Sequence, residues 1–149
     1  MRQAREIWKV ENSFALSMYC AGLAVESMLR AFRWSEDTSF EGRHDLAELL
    51  KASQILRIDD EYMKEIGATE NEITQSYLAI RSAMNQVVVL WHNNLRFASE
   101  ETTLAFLKKQ GKIKGLKGNA LKQNATELLE AAQLIINRGA TLWISKKKS

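Results

Sequence analysis

From Phe14 to Phe32 the chain reads FALSMYCAGLAVESMLRAF, and no other stretch restricts its fold as much. Phe14, Met18, Ala21, Val25, Met28 with Leu29, and Phe32 recur in steps of three and four, which is one face of an α-helix. Leu16, Tyr19, Leu23 and Ser27 cover a neighbouring face. A helix apolar over most of its circumference packs among other helices. Glu26 is the one charge in its middle, and a carboxylate stripped of water without a partner costs several kcal/mol. Arg30, Arg81 and Arg96 are its candidate partners, and the expectation is an arginine from the third helix. A polar, ligand-receiving pocket around Glu26 and Arg30 is the functional alternative.

The chain has no proline in 149 residues. At the usual frequency of about 5% roughly seven would occur, so long uninterrupted helices are favoured. Further helices follow from the same periodicity. HDLAELLKASQIL gives a second helix of about three turns, with His44 or Asp45 at its N-terminal edge. An acidic patch, Asp59 to Glu72, covers a helical turn, a Gly67 break and the first turn of a third helix. That helix is marked by Ile73, Tyr77, Ile80, Met84, Val87, Trp91 and Leu95.

Ser99 before Glu100 and Glu101 opens a fourth helix with Leu104 and Leu107 inward. The last runs from Leu121 to Trp143. Arg2 to Val10 reads as a helical lead-in anchored by Ile7 and Trp8, with Asn12 or Ser13 capping the central helix. The expectation is one domain over residues 1–149, an all-α, antiparallel up-and-down bundle of about five helices. Its flexible basic connector lies at about 111–119 and its frayed basic tail at about 145–149.

A single cysteine, Cys20, inside the apolar helix reads as a structural thiol and excludes an intrachain disulfide. No secretory signal and no apolar run of membrane-spanning length is visible, so a cytoplasmic location is expected. Two histidines without clustered cysteines give no metal-site spacing. GKIKGLKGN lacks the order of a phosphate-binding loop, and no cofactor is expected.

The order of features resembles a known family. AGLAVESMLRAF, with A-V-E-x-x-L-[KR]-A at Ala24–Ala31, is followed by H-D-L at His44–Leu46 and W-x-x-x-x-R-[YF] at Trp91–Phe97. Over about four-fifths of its length the chain is similar to HEPN domains, small helical domains associated with nucleotide binding. The resemblance implies an antiparallel bundle and a homodimer. It also implies activity as an RNase of toxin–antitoxin or defence systems, or as a non-catalytic partner of a nucleotidyltransferase. RNase members carry an Arg followed four to six residues later by His. Here Arg43 and His44 are adjacent, and Arg81 is too far from His92.

Three sets of residues are candidates for chemistry. His92, Asn93 and Arg96 are the most suggestive, since on a helix His92 and Arg96 share a face with Arg81 and Asn85. A histidine beside a guanidinium is a minimal kit for metal-independent RNA cleavage. Helix-end pairing is its structural reading. Glu26 with Arg30, and His44 beside Asp45, are the other two. Lys108, Lys109, Lys112, Lys114, Lys117 and Lys122 form a basic segment suited to a phosphate backbone, or to solubility. The favoured function is a non-catalytic HEPN-like module that binds nucleotide, RNA or a nucleotidyltransferase or antitoxin partner as a dimer. A ribonuclease using His92 and Arg96, and a helical interaction domain without a nucleotide role, are the alternatives.

Overall fold

Helical periodicity dominates the chain, and helices are what form. The computed structural model describes residues 13–36 and 45–146. Among them are six α-helices, a 3-10 helix and no strand: α1 Phe14–Glu36, α2 Leu46–Ser53, α3 Ile55–Glu65, α4 Glu70–Leu90, the 3-10 helix Asn93–Phe97, α5 Glu100–Lys109 and α6 Ala120–Lys146. The lead-in with Ile7 and Trp8, Asn12, Arg43, His44 and the last lysines lie outside the described residues.

On α1 the expected stripe is the buried one. Met18, Ala21, Val25, Leu29 and Phe32 are wholly excluded from solvent. The second stripe is not covered: Leu23 and Ser27 are exposed, so α1 keeps one side on the surface. Its first turn is completed from elsewhere, since the Phe14 N–H donates to Glu100 Oε1 at 3.2 Å.

Three contacts fix the direction of α6 against α1. Met28 packs over Gly139, the Phe32 and Trp143 rings meet edge to face at 5.4 Å, and Lys146 Nζ donates to Ser35 Oγ at 3.2 Å. All three pairs share an offset of 111 residues. The two longest helices therefore lie parallel. A Cβ on Gly139 would sit 2.9 Å from Met28 Sδ, so its absence lets the two helices approach closely.

Helix α4 runs the other way. Ser76, near its start, shares Asp59 with Arg138, whereas Trp91, just past its end, lies on Gly22. The all-α bundle expected from the sequence is present, but its central pair departs from up-and-down order. The 3-10 helix, α5 and the connector return the chain to the end where α1 begins, so α6 starts beside α1 and runs with it.

Two expected helices end early, each at a residue whose backbone leaves the helical region. The second breaks at Gln54, which adopts φ 54° and ψ 19°. Leu49 and Ile55 are both fully buried. In one continuous helix they would point about 120° apart, so the left-handed residue rotates Ile55 back towards the core. The third helix stops at Leu90, because Trp91 turns to extended backbone at φ −113° and ψ 142°.

The connector is tied down. Asn124, 1% exposed, donates to the Lys112 and Ala120 carbonyls at 3.0 and 2.8 Å. Gln123 Nε2 holds the Lys117 carbonyl, and Ile113 packs against the core.

Helix α4 begins with a reciprocal cap. Thr69 Oγ1 accepts from Glu72 N–H at 3.3 Å, and Glu72 Oε2 accepts from Thr69 N–H at 2.8 Å. Glu72 Oε2 also accepts from the Thr69 hydroxyl at 2.7 Å, and the bonds from the Thr69 N–H first and its hydroxyl second hold the Glu72 carboxyl below the usual carboxylate range. A carboxyl depressed in the folded state adds stability above its unfolded pKa and loses it as pH falls through the folded one. Thr69→Ala is expected to cost about 1 kcal/mol. The melting-temperature gap between wild type and Glu72→Gln should close on acidification. A gap that is constant with pH would remove the charge from the explanation.

Candidate functional site

Glycine at position 22 decides where the candidate site begins. A Cβ there would overlap Cδ1, Cγ and Nε1 of Trp91, so only glycine lets the indole lie against α1. Trp91 Nε1–H donates to the Tyr19 carbonyl at 3.1 Å, and the residue is 5% exposed. This anchor pulls the chain out of α4 and leaves His92 extended at φ −146° and ψ 141°.

His92 then caps the 3-10 helix, its Nδ1 accepting the Asn94 N–H at 3.1 Å. With Nδ1 acting as acceptor, the neutral ring carries its proton on Nε2. The remaining nitrogen is a donor, with no lone pair to take a proton from a hydroxyl. Arrangement and chemistry therefore suit hydrogen-bond donation better than general-base work.

Two hollows share His92 as a wall. One, of about 400 Å³, lies between the start of α2 and the end of α4, with Asp45, Val88, Trp91 and Asn93 around it. The other, of about 360 Å³, lies between the 3-10 helix and α5, with Leu95, Phe106, Lys109 and Gln110 among its walls. Both volumes fall in the range of small-ligand sites. The His92 and Phe106 rings stand 6.2 Å apart at 49°, as adjoining walls.

The other sequence candidates spread out around this centre. Asn93 is half-buried in the first hollow. Arg96 is exposed, and its guanidinium lies over the Phe97 ring at 5.1 Å. Arg81 and Asn85 are exposed on α4. The single helical face expected to carry Arg81, Asn85, His92 and Arg96 does not exist, because α4 ends before His92 and the backbone then changes direction.

Glu26 is 2% exposed and pairs with Arg30, whose Nε donates to Oε1 at 2.8 Å. The expected cross-helix pair with Arg81 or Arg96 does not form, since both of those side chains lie on the surface. A partner four residues along the same helix needs no alignment between helices and is reached first. His44 lies outside the described residues, while Asp45 caps α2, accepting from Ala47 and Glu48 N–H at 2.9 and 3.0 Å.

Sequence reasoning missed two features. Asp59, read as part of the acidic patch, is 2% exposed. It accepts from Ser76 Oγ at 2.7 Å and from Arg138 Nε, and the Arg138 guanidinium lies 5.2 Å from the Tyr62 ring. Its phase was the available signal, because Asp59 sits four residues after the buried Ile55 and three before Tyr62. Phe106 was the other omission; it lies one turn after Thr102 on the face of α5 that closes the second hollow.

Cys20 is half-buried, and burial pushes its thiol pKa up, away from reactivity. Among the described residues no three His, Cys, Asp or Glu side chains gather as metal ligands. None of the described helices is long and apolar enough to cross a membrane. Comparison of the chain with family models, with curated proteins and with solved structures gives no match.

Proposed function

We propose that this chain is a helical binding module of HEPN type that holds RNA or a nucleotide by its phosphates without cutting it, and that it acts as a dimer. One observation carries the reading: His92 is committed at Nδ1 to the Asn94 N–H and presents a donor beside Lys109. Donors and cations hold phosphate oxygens, whereas RNA cleavage also needs a base. Arg96 lies over the Phe97 ring, which favours the binding reading over the ribonuclease alternative. Lys108 and Lys109 close α5, and Lys112 follows on the tethered connector, so the cations are presented from a fixed frame. Exposed Tyr77 and Leu78 on α4 and Leu134 on α6 support the dimer.

The test is anisotropy of labelled single-stranded RNA at rising salt. Three or four lysine–phosphate contacts predict a slope of log K on log salt of roughly −2 to −3, and Lys109→Gln or Lys112→Gln should each flatten it by about 0.7. Absence of binding at tens of micromolar ends the proposal. Cleavage in EDTA that disappears in His92→Ala would replace it with the ribonuclease. Sedimentation as a monomer at the same concentrations would remove the dimer.

A further inference from the structure

Resting on that reading, we infer that the hollow between the 3-10 helix and α5 seats one unpaired base of the bound RNA. The hollow has the three chemistries a nucleotide requires. Its apolar part is Leu95 and the aromatic ring of Phe106, on which a base can stack whatever its identity. Its polar part is the amides of Asn94 and Gln110, which carry both donors and acceptors for a base edge. Its cation is Lys109, one turn of α5 from Phe106, close enough for the phosphate of the nucleotide whose base lies on that ring.

Size agrees with this occupant. About 360 Å³ lies near the lower end of the small-ligand range, a scale that suits a single base. The bases of a duplex are also stacked away from such a pocket, so the occupant is a single strand, a loop or a bulge. The neighbouring hollow, with Asp45 in its wall, suits an anionic strand less well. Lys108 and Lys112 continue the positive charge beyond Lys109 and give the adjoining phosphates their partners. Phe106 supplies the aromatic surface that the lysine run lacks in the sequence.

The experiment uses the same labelled RNA, wild type and two variants. Phe106→Leu removes the stacking surface and keeps an apolar side chain. Thr102→Leu narrows the hollow from its exposed rim without touching the core. Stacking of one base predicts roughly a tenfold or greater loss of affinity in Phe106→Leu, with the salt slope unchanged. An RNA with an abasic position at the bound site should bind the wild type as weakly as intact RNA binds that variant. Circular dichroism verifies that each variant is folded, and Thr102→Leu decides the matter if Phe106→Leu is not. Wild-type affinity in both variants, with the salt slope still flattened in Lys109→Gln, overturns the base pocket and leaves the phosphate-binding module standing. No RNA binding by the wild type overturns both.

Discussion

Gly22→Ala is expected to destabilise the protein by about 3 kcal/mol or more, the scale of losing a buried aromatic side chain. For a chain of this size that is a fall of roughly 6–12 °C in melting temperature. The cause is steric. The new Cβ overlaps three atoms of the Trp91 indole, and the nearest obstacle is a rigid ring, not the end of a flexible chain. Trp91 must therefore leave, giving up its burial and the hydrogen bond to the Tyr19 carbonyl.

The same substitution has the opposite sign once the ring is gone. Glycine inside a helix is about 1 kcal/mol less favourable than alanine, so in a Trp91→Ala background Gly22→Ala should stabilise. Urea titration of the four proteins of this cycle checks both signs. A neutral or stabilising Gly22→Ala in the wild-type background would show that Trp91 does not anchor the end of α4. Because the anchor also orients His92, the proposed RNA binding should weaken in Gly22→Ala at temperatures where the protein remains folded.

That anchor explains which parts of the molecule could be read from the sequence. The burial of α1, the Ser99 cap and the acidic first turn of α4 are local, set by residues three or four apart. Glu26 was recognisable as a buried charge in need of a partner, and Arg30 was within one turn. The end of α4 was not recognisable, since Trp91 and Leu95 continue the apolar period. Only Gly22, 69 positions earlier, gives the indole a place outside the helix. Periodicity tells which face is buried but not which way a neighbour runs, so the parallel α1 and α6 pair was invisible. The second hollow was hidden for the same reason. His92 and Phe106 belong to different elements, and the chain reversal between them brings their rings together.

Arg138→Met is expected to cost about 3–5 kcal/mol, and Asp59→Leu less. Asp59 joins three helices, since it lies on α3 and binds Ser76 of α4 and Arg138 of α6. Its side chain is 2% exposed, whereas that of Arg138 is 23% exposed. With Arg138 removed, the carboxylate stays buried and keeps only the Ser76 hydroxyl. With Asp59 removed, the guanidinium can slide along its aliphatic stem towards water and keep the face of Tyr62. The larger loss thus follows removal of the more exposed partner. The double variant Asp59→Leu/Arg138→Met buries no charge and should cost less than the two single effects together, with a coupling energy of about 1–3 kcal/mol in the cycle. Chemical denaturation of the three variants measures each term. Additive single effects, or an Arg138→Met cost below about 1 kcal/mol, would mean that apolar packing alone holds α3 against α4 and α6.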